Sequence, residues 1–377
     1  MYKPRFYSPL EKYVEPGKVL LIFGPRRTGK TTLIQNYIEM TSLKYLFVTG
    51  DDIQMQILLS SKNKNDILEF VEGYELLVID EAQQIHDVGS GLKLLVDHRP
   101  DLNIIATGSS SFELAGQVGE PLTGRKRTLT LYPFAQCEFS PDLNNYELKQ
   151  QLENFLVFGS YPEVVLANSI KEKTQILQEL VNSDLLKDIL TFDRIRNSKS
   201  LLQLLQLLAF QISSEVSYNE LANKLSISIN TVQRYLDLLE KTFVIFRLGG
   251  FSRNLRNEVT KTAKYYFYDN GIRNAIIQQH NSLALRNDQG QLWENFVMAE
   301  RLKFRSYQEI FANMYFWRTY HSGEIDLIED YEGVLNGYEM KWSQNKEKIK
   351  APELWHETYK NSTFSVVTPK NYLEFLT

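Results

Sequence analysis

Residues 24–31 read GPRRTGKT and residues 76–82 read LLVIDEA, and together these segments dictate more about the fold than any other part of the chain. The first satisfies Gly-four-any-Gly-Lys-Thr, with Gly24, Gly29, Lys30 and Thr31 in place. It follows the apolar run VLLIF and precedes TTLIQNYIEM, a stretch with helical spacing. A buried strand, a glycine loop and a helix in that order predict a concave nest of backbone N–H groups at a positive helix end, built to hold phosphate oxygens. The expected nucleotide-binding set is Gly24, Pro25, Arg26, Arg27, Thr28, Gly29, Lys30, Thr31 and Thr32. Lys30 is expected to reach the β and γ phosphates, and the Thr31 hydroxyl to ligate Mg²⁺.

In LLVIDEA the apolar run carries Asp80 to the carboxyl end of a strand, where open α/β sheets bind ligands. Asp80 is expected to hold Mg²⁺, directly or through water, and Glu81 to orient an attacking water. A plain helix cap is the alternative for this acidic pair. The two segments imply binding of a nucleoside triphosphate, with ATP and Mg²⁺ as the cofactors.

The surrounding pattern fits an α/β sheet. Short strand-like runs at Lys18–Phe23, Tyr45–Thr49, Glu75–Asp80, Leu102–Thr107 and Thr128–Tyr132 alternate with helical segments. After the fourth, Gly108, Ser109 and Ser110 leave a strand end; Ser109 senses the γ-phosphate in one reading and caps a helix in the other. In LTGRKR, Arg125 is the candidate charge stabiliser, against a solvated basic turn.

At 377 residues the chain is long enough for two or three domains. No run of 18 apolar residues is present, and the first residues lack the apolar core of a secretion signal. One cysteine, Cys137, excludes an intrachain disulfide and fits a reducing, cytoplasmic setting with no membrane contact. The boundaries drawn from pattern are 1–140 for the nucleotide-binding core, 141–200 for a helical lid, 201–275 for a winged helix-turn-helix and 276–377 for a C-terminal α/β unit.

In the third segment Ser217 caps a helix over Tyr218–Leu225, Ser226–Ser228 turn, and Asn230–Lys241 form a second helix. Residues 219–264 carry eight Lys or Arg against four Asp or Glu, within a chain of net charge −4. Arg234, Arg247, Arg253 and Arg256 suit phosphate contacts, so DNA is the expected partner; a protein contact or a lid is the alternative. The state of self-association, including a homo-oligomer, stays open.

The last segment holds a helix, QLWENFVMAERLK, then strands at Ile310–Arg318, Glu324–Glu329 and Val334–Trp342, a helix PELWHETYKN and a strand TFSVVTP. A tight turn at Glu332-Gly333 sets Asp326 opposite Glu339, with Lys341 on the same face. Two carboxylates about 5 Å apart resist joint ionisation without a cation between them. Asp326 and Glu339 are therefore candidate metal ligands, with Lys341 activating a water. A turn at Asn336-Gly337 breaks this register, and a ladder of salt bridges is the other reading.

Taken together, GPRRTGKTT, LLVIDEAQ, IIATGSSS, LTGRKRTLTLYPF, GSYPEVV, YYFYDNGIRNAI, QLWENFVMAE, GEIDLI and YEMKW resemble the bacterial and archaeal AAA-family ATPases that carry a C-terminal region of unassigned function. The resemblance covers nearly the whole chain. It implies a P-loop core with an added central strand and a catalytic Glu, matched by Glu81, then a winged helix and a restriction-endonuclease-like C-terminal fold. That fold's motif acids match Glu294, Asp326 and Glu339, with Lys341 as its lysine. Two functions follow as expectations: an ATPase switching a DNA-directed, Mg²⁺-dependent nuclease, or an ATP-switched DNA- or protein-binding regulator on an inert nuclease fold.

Overall fold

The run VLLIF is strand β1 (Val19–Phe23), and all five residues are buried, as a strand covered on both faces requires. The computed structural model describes residues 3–109, 122–185, 198–251, 263–319, 323–343 and 349–377. The chain divides into two units, Met1–Pro133 with Lys241–Phe243, and Phe134–Glu240 with Val244–Thr377.

In the first unit β1 is followed by α1 (Lys30–Met40), β2 (Tyr45–Thr49), α2 (Ile53–Ser60), α3 (Lys64–Phe70), β3 (Leu76–Asp80), α4 (Val88–His98), β4 (Asn103–Thr107) and β5 (Lys126–Thr130). The sheet order is β2-β3-β4-β1-β5, and every pairing is parallel. β4 thus lies between the strand that feeds the glycine loop and the strand that carries Asp80. Leu77, Ile79, Leu92, Leu95 and Ile104 are among the side chains of its core, all fully buried. Burial of each such side chain contributes about 1.5–3 kcal/mol, so the apolar strands fix the sheet before any site residue matters.

The first four strands match the apolar runs to within one residue. The fifth begins at Lys126 and ends at Thr130, two residues earlier than expected. An edge strand needs ladder hydrogen bonds but not two apolar faces, so KRTLT pairs with β1 despite its charges.

The second unit opens with helices α5 (Asn145–Phe158), α6 (Pro162–Leu166), α7 (Ile170–Glu179) and α8 (Ser198–Phe210). Asn144 and Glu147 form a reciprocal cap on α5: Tyr146 and Glu147 N–H donate to Asn144 Oδ1 at 3.0 Å, and Asn144 N–H to Glu147 Oε2 at 2.8 Å. Then come β6 (Glu215–Val216), α9 (Tyr218–Leu225), α10 (Ile229–Lys241), β7 (Ile245–Gly250) and β8 (Ala263–Phe267). Next are α11 (Asn270–Ile276), α12 (Gln289–Tyr307), β9 (Asn313–Arg318), β10 (Glu324–Tyr331), β11 (Val334–Met340), α13 (Glu353–Thr358), β12 (Ser362–Val367) and α14 (Tyr372–Leu376).

Seven strands of this unit form one sheet, ordered β12-β11-β10-β9-β7-β8-β6. The join is the parallel pairing of β7 with β9, Gly249 opposite Tyr315 and Gly250 opposite Phe316. The boundary expected at residue 275 lies within this unit, whose strands on either side join one continuous sheet.

Candidate active site

Gly24 follows β1 at φ 145°, where a Cβ would lie 2.1 Å from the carbonyl oxygen of Leu131. Only glycine permits that approach, and it lets the loop leave the sheet tightly packed. Gly29, at φ 90°, closes the loop and precedes α1. Thr28 Oγ1 donates to Pro25 O at 2.8 Å, and Lys30 Nζ donates to Gly24 O at 2.8 Å and Pro25 O at 2.9 Å. The ammonium thus holds the two walls of the loop through neutral carbonyls, and a phosphate oxygen offers it a charged acceptor that binds more strongly. Arg26 and Arg27 are half-buried in the loop, and Thr32 is exposed on the first turn of α1.

Arg5, which sequence reasoning missed, is buried and reaches the same loop. Its guanidinium donates to Thr28 O and, at 2.7 Å, to Tyr132 O. Its separation from the loop in sequence hid it.

Across the loop, Thr31 Oγ1 donates to Asp80 Oδ2 at 2.8 Å. The other carboxylate oxygen, Oδ1, accepts from the Thr107 hydroxyl, and Glu81 N–H donates to Thr107 Oγ1 at 3.1 Å. Thr107 therefore uses its single hydroxyl both ways, fixing Asp80 and the backbone of Glu81 at once. Glu81 itself sits at φ 51°, ψ 40°, an uncommon conformation for a side-chain-bearing residue. The Gln83 amide donates to its carboxylate. Three strand ends, those of β1, β3 and β4, thus bring Lys30, Thr31, Asp80, Glu81 and Thr107 together. Ser109 is buried just beyond β4, where Gly108 N–H donates to Ile22 O at 3.2 Å; Ser110 lies outside the described residues.

Arg125 is not part of this group. Val19 N–H donates to Arg125 O, which puts Arg125 at the start of β1, about 16 Å by strand rise from Gly24. Its guanidinium pairs with Asp97 at 2.7 Å instead. The two-residue shift of β5 explains the correction: the strand begins at these basic residues, at the amino ends of its neighbours.

The second cluster lies in unit two, in a cavity of about 620 Å³ lined by Lys264, Glu294, Glu324, Asp326, Glu339 and Lys341, among others. The hairpin turn is at Glu332-Gly333, φ 50° and 80°, with Tyr331 opposite Val334 and Leu327 opposite Tyr338. That register excludes the Asn336-Gly337 turn. Asp326 Oδ2 accepts from Met340 N–H at 2.8 Å, and Lys341 Nζ pairs with Glu339 Oε1 at 2.5 Å. Burial, then the Asp326 carboxylate, pushes Glu294 up to about 8, and burial raises Asp326 and Glu339 as well.

Glu294, Asp326 and Glu339, the expected metal set, line this one cavity. Among the described residues no three His, Cys, Asp or Glu groups stand so as to hold a metal ion. Among these acids stands a residue that sequence reasoning missed. Lys264, on β8, is 3% exposed and sends Nζ to Glu324 Oε1 at 2.8 Å, Glu294 Oε1 at 3.5 Å and Asp326 Oδ1 at 3.9 Å. Burial works against its charge, but Glu294, Asp326 and Glu324 outweigh burial and hold its pKa above the ordinary lysine value. Tyr266 adds a hydroxyl donor to Glu294 Oε1 at 2.8 Å.

In the segment expected to form a helix-turn-helix, α9 has the expected bounds and α10 starts one residue early, with Ser226 turning between them at φ 52°. Arg234 on α10 and Arg247 on β7 are exposed; Arg253 and Arg256 lie outside the described residues.

Comparison with known proteins agrees with the first site. Residues 16–140 match an AAA domain. The match and the loop geometry together support ATP binding by the first unit. Residues 149–283 match a Domain of unknown function (DUF8612) and residues 289–373 another (DUF4143). Relatives include an uncharacterized protein of Methanocaldococcus jannaschii, 27% identical over 361 residues, covering 90% of this chain and 78% of that one. An uncharacterized protein of Haemophilus influenzae is 25% identical over 359 residues, covering 86% and 83%. Among solved structures, a signal transduction ATPase with numerous domains and a tetratricopeptide repeat sensor, from Pyrococcus horikoshii, aligns at TM-score 0.28 and 13% identity, over 78% of this chain and 46% of that one. AMPPCP-bound DnaA of Aquifex aeolicus aligns at TM-score 0.28 and 17% identity, over 63% and 85%. No helix among the described residues is long and apolar enough to cross a membrane.

Proposed function

We propose that this protein hydrolyses ATP and that its nucleotide state switches a binding module in the second unit. The observation that carries this reading is the hydrogen-bonded chain Thr31–Asp80–Thr107–Glu81 beside the Lys30 loop. Thr31 Oγ1 and Asp80 Oδ2 are hard oxygen donors 2.8 Å apart, a pair that suits Mg²⁺. When bound, Mg²⁺ supplies positive charge to the phosphate oxygens. Lys30 binds the β and γ phosphates, loop amides bind the rest, and Glu81 orients water for attack. Ser109, at the strand between the loop and Asp80, approaches the γ-phosphate.

The test is ATP turnover by phosphate release. Lys30→Ala is expected to lower it by about 100-fold or more, while Glu81→Gln retains ATP binding and loses turnover. Turnover that survives Lys30→Ala sinks the assigned site.

For the second unit, the module in this reading is the α9–α10 pair, with Arg234 and Arg247 contacting DNA phosphates. Nucleotide-dependent DNA binding, read by filter retention in stated salt, tests it; a protein partner is the outcome if no DNA is retained. Self-association on ATP binding, read by sedimentation, belongs to the same proposal. The other reading, a magnesium-dependent nuclease, is favoured by Asp326, Glu339 and Lys341 sharing one cavity. It is the weaker, because Lys264 stands among its acids.

A further inference from the structure

The cavity of the second unit presents four carboxylates, Glu294, Glu324, Asp326 and Glu339, with two ammonium groups, Lys264 and Lys341. The two lysines differ in kind. Lys341 is about one-third exposed and pairs with Glu339 on its own strand. Lys264 comes from β8, is almost fully buried, and faces carboxylates on two other elements, α12 and β10. Its ammonium donates one hydrogen bond, to Glu324, and stands within ion-pair distance of Glu294 and Asp326, as an ion stands among its ligands. The Phe316 ring, 5.5 Å away, gives the charge a further favourable neighbour. A divalent cation brought among these acids would meet the fixed positive charge of a buried lysine, which repels it.

We propose that Lys264 is the built-in cation of this cavity, taking the place of a divalent metal and closing the acid cluster to one. The proposal bears on the second unit alone and stands apart from ATP hydrolysis, which is read by a different assay. It makes the lysine, and not the acids, the residue that decides whether the cavity takes a metal. Lys264→Arg keeps the charge and should keep the exclusion, whereas Lys264→Met removes it and leaves the four acids as hard oxygen donors.

The probe is Mn²⁺ alone, titrated into nucleotide-free full-length protein and followed by the EPR signal of the free ion. Mn²⁺ held at Asp80 is separated out by repeating each titration with Asp326→Asn. In wild type, Asp326→Asn is expected to leave Mn²⁺ binding unchanged. Lys264→Met is expected to gain one site, at least about tenfold tighter than any in wild type, lost again when Asp326→Asn is added. Wild-type binding that Asp326→Asn removes overturns the proposal, and so does a folded Lys264→Met with no gain. Should Lys264→Met fail to fold, the wild-type and Asp326→Asn pair decides alone: a difference refutes the proposal and equality supports it.

Discussion

At the scale of residues, Thr107 carries a role that its position at the end of an apolar strand disguises. Its hydroxyl donates to Asp80 and accepts from the backbone of Glu81, so it holds the metal-ligand candidate and the water-orienting candidate in one geometry. Thr107→Val keeps the shape and the buried packing but removes both bonds. Supporting groups of this kind typically cost 10–100-fold when lost, so turnover is expected to fall by about that factor. ATP affinity, set by the loop, should stay within about threefold, and equilibrium binding beside steady-state turnover checks the split. A parallel loss of affinity would mean that Thr107 shapes the loop and not the reacting centre. Gly24, Gly29, Lys30, Thr31, Asp80 and Glu81 were legible because their chemistry is tied to short spacings. Thr107, Arg5 and Lys264 were not, since each acts across 23 or more residues on a group that only folding brings near. Arg125 failed for the related reason that its strand register was off by two residues.

At the scale of elements, the segments GSYPEVV and YYFYDNGIRNAI turn out to be packed against each other. Asp269 Oδ2 accepts from Ser160 N–H at 2.7 Å, and its Oδ1 caps α11 by accepting from Ile272 N–H at 3.1 Å. Asn274 Nδ2 donates to the α5 carbonyls of Leu156 and Val157, at 3.1 and 2.8 Å, satisfying the end of that helix. Gly271 makes this contact close: a Cβ there would lie 2.1 Å from Phe158 O. Gly271→Ala must therefore push α11 off α5, at an expected cost of about 2–4 kcal/mol. Urea denaturation of the second unit reads it as a lower midpoint with an unchanged slope. An unshifted midpoint would show that the contact is looser than described. Helix boundaries here were readable from caps and apolar spacing, as α9 shows at both ends. The packing was not, because Asp269 and Asn274 have the same letters whether they cap, bridge or face water.

At the scale of the whole molecule, pairing partners on either side of residue 275 share a sheet. β7 gives β9 its neighbour, with Phe251 N–H donating to Phe316 O at 2.6 Å. β8 gives α12 its anchor, with Asn295 bonded to Phe267 N–H at 2.7 Å and Phe267 O at 3.0 Å. β8 also supplies Lys264 to Glu294, Glu324 and Asp326. A fragment 276–377 keeps the core of Trp317, Ile325, Ile328, Trp355 and Tyr359, yet loses all three supports. Its β9 edge would stand open, and its acids would lack their strongest counter-charge. Stranding buried charge costs about 3–5 kcal/mol, a large part of the roughly 5–15 kcal/mol that holds a domain together. The fragment 276–377 is thus expected to show no cooperative thermal transition, whereas 134–377, which spans the second unit, is expected to show one. Circular dichroism on heating, with proteolysis alongside, distinguishes them. A cooperative transition in 276–377 would mean that the pairing of β7 with β9 is an adhesion between two finished folds. Its absence, with 134–377 intact, would make strands β7 and β8 and the acid cavity one folding unit, so that any partner bound through α9 and α10 acts on the same body that holds Lys264.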